Sequence, residues 1–170
     1  MLTQAELELW GKKENKIEHV IDKFNSLVYF FRHSMGGHGA LISFFKRPGQ
    51  YKSVSAFAPI CNVSKCEWGI NAYTKFFGQN EDLWKQYDAV ELVSIYQGPK
   101  PRTPVLIDQG SDDSFRDQYL LPEKFRDACK KASFPIELRE QPGYDHGYYF
   151  IMTFLEDHFK YHKKEFEPSK

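Results

Sequence analysis

Leu27-Val28-Tyr29-Phe30-Phe31-Arg32-His33-Ser34-Met35-Gly36-Gly37-His38-Gly39-Ala40-Leu41 is the stretch that decides how this chain folds. Its first five residues form a continuous apolar run of strand length, as expected for a strand covered on both faces. A glycine-rich turn follows. From His38 to Lys46, Ala40, Leu41, Phe44 and Phe45 then recur at helical spacing until Pro48-Gly49 stops them. Where a G-x-S-x-G pattern joins strand to helix, the turn is so sharp that the serine hydroxyl stands above the sheet. The N–H of the next residue then points at a developing oxyanion. Here the serine is Ser34 and the second glycine survives as Gly36, but Arg32 replaces the first.

Outward from that turn, strand-like and helix-like segments alternate. Val54 to Ile60 reads as a second strand closed by Pro59, and Val105 to Asp108 as a third closed by Gly110. Leu121, Phe125, Cys129 and Ala132 share a helical face with Pro122 in the first turn. Ile136 and Leu138 alternate with Glu137 and Arg139, the pattern of an edge strand with one wet face. A last helix after His146 is expected to bury Phe150, Ile151, Phe154, Leu155 and Phe159, with Lys160, Lys163 and Lys164 at the end where the dipole favours cations. The alternation predicts an α/β fold with a mostly parallel sheet. Ile17, Val20, Ile21 and Phe24 predict a short amphipathic helix over 16–24. Residues 61–102 are aromatic and irregular: they form either a cap over a pocket or an extra helical pair packing its aromatics inward.

With 170 residues, 41% of them hydrophobic and 16% aromatic, the chain is the size of one domain with a sizeable core. Lysine plus arginine and aspartate plus glutamate both number 23, so no net field draws in nucleic acid or an anionic membrane. No run approaches the roughly 20 apolar residues of a spanning helix, and the first residues lack the pattern of a secretory leader. Three cysteines, Cys61, Cys66 and Cys129, are too few for a disulfide framework and read as reduced thiols. A soluble, cytoplasmic protein is the expectation.

A serine nucleophile needs a base to take its proton and an acid to orient that base. After Ser34, the chain places Gly110-Ser111-Asp112-Asp113-Ser114 behind the third strand and Gly143-Tyr144-Asp145-His146-Gly147 behind the fourth. Nucleophile, acid and histidine in that order, each at the C-terminal end of a strand, match the arrangement of α/β-hydrolases. Spacing alone does not separate Asp112 from Asp113.

From about Phe31 to about Phe166 the chain closely resembles S-formylglutathione hydrolase, also called esterase D. The telling segments are His33-Ser34-Met35-Gly36-Gly37-His38-Gly39-Ala40-Leu41, Tyr51-Lys52-Ser53-Val54-Ser55-Ala56-Phe57-Ala58-Pro59-Ile60-Cys61-Asn62, Leu106-Ile107-Asp108-Gln109-Gly110 and Gly143-Tyr144-Asp145-His146. The resemblance implies an α/β-hydrolase-type serine thioesterase or carboxylesterase that cleaves S-formylglutathione to formate and glutathione in formaldehyde detoxification, with neither metal nor organic cofactor. Carried over motif by motif, it implies Ser34 as nucleophile, His146 as general base and then acid, Asp113 as the orienting carboxylate and the Met35 N–H as an oxyanion donor. It also implies Trp68 as a wall of the acyl pocket. Residues 27–170 then correspond to the C-terminal part of the hydrolase domain, and 1–26 to a divergent helical segment.

Two departures qualify that resemblance. The family motif begins Gly-His-Ser, and a side chain at the first position is expected to crowd the elbow, so that Arg32 bends away or the serine is displaced. The family's N-terminal half, which carries the other oxyanion donor, has no counterpart in residues 1–26, and a donor lost in this way costs roughly 10² to 10³ in rate. The strand at Leu27 to Phe31 is then expected to present a long apolar edge and to drive association, with another copy of the chain among the partners. An enzyme of impaired turnover stands against a catalytically weak remnant that acts as a binding or interaction module. For the other histidines and cysteines the bland expectations are structural roles for His33 and His38, a solvated helical face for His158 and His162, and ordinary thiols for Cys61 and Cys66, since no third metal ligand is evident. Lys12, Lys13 and Lys16 read as a solvated face.

Overall fold

The structure, a computed structural model, describes residues 28–165. Four strands, β1 (Val28–His33), β2 (Tyr51–Phe57), β3 (Val105–Gly110) and β4 (Ile136–Gln141), form one parallel sheet in the order β1-β2-β3-β4. Helix α1 (Ser34–Lys46) connects β1 to β2. The longer link from β2 to β3 holds α2 (Glu67–Phe77), α3 (Glu81–Lys85) and α4 (Ala89–Ser94). Helix α5 (Pro122–Lys131) returns to β4, and α6 (Tyr148–Lys163) ends the described chain. The α/β architecture and parallel sheet agree with the sequence pattern. The predicted helix over 16–24, the basic cluster at Lys12, Lys13 and Lys16, and the whole 1–26 segment with its boundary lie outside the described residues.

Strand alternation distributes the core. On β2, Val54 packs into a cluster with Leu41, Phe44 and Phe45 of α1, Val93 of α4 and Phe125 of α5. Its neighbours Ser53 and Ser55 point the other way, toward α6, as the two-residue period of a strand requires. A second cluster gathers Phe57, Val63, Tyr73, Trp84, Leu120 and Phe150. Tyr73 and Trp84 are buried while Trp68 and Phe76 are exposed, so the 61–102 excursion packs part of its aromatic set inward and leaves part at the surface.

The last helix departs from the expected pattern. Phe159, read as a core residue, is 54% exposed, whereas His158 and His162, read as a solvated face, are 0% and 4% exposed. The reason is polar pairing. Ser53 and Ser55 bond the two ring nitrogens of His162 at 2.8 and 2.9 Å. His158 bonds Ser55 Oγ at 2.7 Å and Asp108 Oδ2 at 3.1 Å, and its ring stacks on Phe57 with centroids 3.7 Å apart. Arg139 completes the row with a fork of hydrogen bonds to Asp108 at 2.6 and 2.5 Å. Buried polar groups are tolerated only when paired, and here serines on an inward strand face supply the partners.

Burial among these groups, with His158 beside it, lowers the His162 imidazole from 6.5 to about 4. A histidine held neutral when folded binds its proton more readily when unfolded. Its stabilising contribution is therefore complete above pH 6.5 and is lost as the pH falls from there toward 4, by about 1.4 kcal/mol per pH unit. Thermal melts of the wild type should show a midpoint that drops across this window, and His162→Gln should flatten the drop. An equal slope in both proteins would contradict the assignment.

Candidate active site

The β1–α1 turn has the geometry of an elbow. His33 is extended, with φ −111° and ψ 146°, while Ser34 has φ 54°, a left-handed conformation that a non-glycine residue adopts only under constraint. Two contacts hold it. The Ser34 carbonyl accepts a hydrogen bond from the Ile60 N–H at 3.3 Å, and Gly37 lies so close to β2 that a Cβ there would meet Pro59 Cβ at 2.9 Å and the Arg32 carbonyl at 3.2 Å. The Met35 N–H belongs to the first turn of α1, where amide donors have no intrahelical acceptor.

Arg32 does not sit in the crowded side of the turn. Its side chain is exposed and runs past Gly36, where an added Cβ would lie 3.4 Å from Arg32 Cβ and 3.7 Å from Cδ. The expected clash is relieved because the arginine leaves the turn for the surface, passing Gly36 at ordinary contact distance.

The acid and the histidine come from loops 33 residues apart in the chain. Asp113 Oδ2 accepts a hydrogen bond from His146 Nδ1 at 2.7 Å. The same carboxylate accepts from Gln109 Nε2 and from the Phe115 N–H, both at 2.9 Å, so three donors fix its orientation. Asp113 is buried. Asp112 is exposed and takes a bond from Ser111 instead, while Asp108 is occupied on the other side of the sheet by Arg139 and His158. The two loops can approach because of Gly110: a Cβ at that position would stand 2.2 Å from the Tyr144 carbonyl oxygen. The Asp112 N–H bonds that same carbonyl at 3.0 Å.

Two residues escaped sequence reasoning. Gln109, buried near the end of β3, bonds Asp113; its only signal is a polar side chain following Asp108 in a strand that opens with three apolar residues. His33 packs its ring against His146 with centroids 4.3 Å apart and bonds the His146 main chain. Burial and the adjacent His146 lower the His33 imidazole, so it stays neutral beside that histidine. Its Nε2 is buried and has no partner among the described residues.

Ser34 and His146 open onto one cavity of about 650 Å³, within the range of sites for drug-sized ligands. Its walls are largely apolar: Met35, Ile60, Phe115 and Leu120, with Trp68 and Tyr119 offering aromatic surface. Glu67 and Asn71 add the polar side chains of α2. Thus four of the five sequence candidates, Ser34, Met35, Trp68 and His146, line the cavity, and Asp113 stands behind His146. His38 is tied to Ile60 and Tyr73 instead, and Cys61 and Cys66 are buried free thiols. Among the described residues no group of three or more side chains is disposed to hold a metal.

The Esterase family model, "Putative esterase", matches residues 31–162. S-formylglutathione hydrolases from Bos taurus and Arabidopsis thaliana are 53% and 51% identical to the chain over 135 residues, which is 79% of this chain and 47% of each relative. The S-formylglutathione hydrolase from Agrobacterium tumefaciens superposes with a TM-score of 0.74 at 43% identity, over 79% of this chain and 48% of that one. The chain spans about half the length of the curated relatives it matches. The fold is of the α/β-hydrolase type.

Replacing Gly110 with alanine should force the Tyr144 loop away and cost about 1–3 kcal/mol of stability. It should also weaken the strongly downfield proton resonance expected for the His146–Asp113 hydrogen bond. Retention of both the resonance and the melting temperature would refute this role for Gly110.

Proposed function

Since the chain belongs to the Esterase family, we propose that it is a serine thioesterase and carboxylesterase of the S-formylglutathione hydrolase type, with Ser34, His146 and Asp113 as its triad. The observation that carries this is the 2.7 Å bond between His146 and Asp113 beside a serine held at φ 54° on the same cavity. His146 takes the proton of Ser34 Oγ as that oxygen attacks the thioester carbonyl carbon. The negative charge forming on the carbonyl oxygen is met by the Met35 N–H. As the tetrahedral intermediate collapses, the carbon–sulfur bond breaks and the imidazolium passes its proton to the departing thiolate. A water molecule, deprotonated by His146, then attacks the formyl-serine ester; formate leaves and Ser34 regains its proton. Asp113 holds the Nδ1–H throughout and stabilises the charged ring, and Gln109 and Phe115 keep the carboxylate aimed.

His33 supports the same chemistry from behind. A neutral ring against His146 adds no second positive charge when His146 becomes an imidazolium. Trp68, expected as a wall of the acyl pocket, lines the cavity that would hold both halves of the substrate. Cytoplasmic action on small thioesters and esters completes the proposal, supported by the three buried free thiols and by the lack, among the described residues, of a helix long and apolar enough to cross a membrane.

A second version, in which the site assembles but turns over slowly and the chain acts chiefly by binding, rests on the edge of β1 and not on Arg32, whose side chain the turn accommodates. Association through β1 belongs with it: among the described residues that strand pairs with β2 alone, and an unpaired strand edge templates a second copy.

Purified protein should release formate from S-formylglutathione, and Ser34→Ala should lose that activity by a factor on the order of 10³ or more. Equal rates in the two proteins would reject Ser34 as nucleophile. Arg32→Gly separates the two versions: a gain of about 10²-fold, the cost of a misplacement of about 1 Å, supports the impaired site, and a change of less than about tenfold supports the functional one. Sedimentation at increasing concentration should reveal self-association, and a monomer throughout would dispose of the edge contact.

A further inference from the structure

A formyl group is a single carbon with its oxygen, and it occupies a small fraction of a cavity of about 650 Å³. Most of the cavity therefore serves the thiol side of the substrate. Its composition is uneven. Helix α2 contributes Glu67, Trp68 and Asn71, and Glu67 and Asn71, four residues apart, lie on one face of that helix. Glu67 is the single carboxylate on the cavity wall, and among the described residues no cation pairs with it. Beside it, Trp68 is 43% exposed, with aromatic surface available to a ligand. A carboxylate next to an exposed indole, with an amide oxygen one turn away, is the combination that attracts an ammonium group: charge, ring quadrupole and hydrogen-bond acceptor converge.

The placement of this corner is determined by the fold. Gly69 sits against the short turn before α2 so tightly that a Cβ would lie 2.0 Å from the Val63 carbonyl oxygen, and this contact sets the first turn of the helix at the cavity rim. Glu67 also gains from the positive end of the α2 dipole, an ordinary stabilising role for an acidic residue in a first turn. That role alone would be indifferent to the charge of a ligand, and the difference makes the two separable.

We propose that Glu67, with Trp68 and Asn71, forms the leaving-group subsite and selects thioesters whose thiol carries an ammonium group. The proposal rests on the thioesterase reading and deepens it: glutathione has one ammonium, on its γ-glutamyl end beside a carboxylate on the same carbon, and a second, remote carboxylate on its glycine end that Glu67 would turn away from itself. The subsite thereby orients the thiol as well as attracting it.

The test uses two thioesters of the same shape, acetylthiocholine and its neutral carbon analogue 3,3-dimethylbutyl thioacetate. In the wild type, kcat/KM should favour the cationic compound, and Glu67→Gln should reduce that preference by about five- to tenfold, the scale of one partly screened charge contact with an aromatic neighbour. Glu67→Lys should invert it. Binding of both compounds to Ser34→Ala, and to Ser34→Ala combined with Glu67→Gln, is measured in parallel by calorimetry. A tighter Kd for the cation that vanishes with Glu67 supports the subsite whether or not the protein turns substrate over. An identical cation preference with and without Glu67, in rate and in binding, overturns it. Failure of hydrolysis by Ser34 shows itself separately, as equal rates in wild type and Ser34→Ala.

Discussion

A hydrogen bond of 2.7 Å between His146 and Asp113 is the contact on which the proposed chemistry depends, and the sheet is built so that it can form. The two residues lie in loops that leave neighbouring parallel strands, β3 and β4, at the same end. Parallel pairing brings such loops side by side. Side by side is not yet in contact, however. Gly110 closes the remaining distance by letting the β3 loop slide against the Tyr144 carbonyl, where any side chain would intervene. The carboxylate that arrives there is then locked by Gln109 and the Phe115 amide, so the imidazole meets an acceptor with little freedom to turn. Orientation of this kind is where a triad acid contributes most.

The same strands carry a second polar system on the face covered by α6. Asp108 is one residue before Gln109, and the strand period sends the two side chains to opposite faces. Gln109 serves Asp113, whereas Asp108 joins Arg139 and His158. Through His158, His162, Ser53 and Ser55, the network pins α6 to β2, and α6 begins two residues after His146. The helix that carries the histidine loop is thus anchored by polar contacts deep under the sheet as well as by Phe150. Such pairing is directional where apolar packing is not, which suits an element whose position sets a catalytic side chain.

At the other end of the histidine, His33 supplies a neutral ring. The elbow therefore does two things with adjacent residues: Ser34 takes a left-handed backbone at the cavity, and His33 packs against His146, the proposed base. Arg32, one position earlier, passes Gly36 to the surface, so the three consecutive residues diverge toward solvent, the His146 ring and the cavity.

Much of this was legible in the chain. The alternation of apolar runs with helical periods determined the α/β class and the mostly parallel sheet, and the glycine-bounded loops marked Ser34, the Asp112-Asp113 pair and His146 as candidates, because turn chemistry and hydrophobic period are local properties. The choice of Asp113 over Asp112 needed the family resemblance, since adjacent residues differ in direction and not in position. Only the tertiary structure decided that His158 and His162 are buried, that Arg32 is accommodated, and that Gln109, His33 and Glu67 face the site or its partners. Apart from Arg32, whose path past Gly36 is local, each of those facts is a relation between segments far apart in sequence. A histidine on a helix is a surface residue or a buried one according to whether a distant strand offers it serines, and nothing within the helix records which.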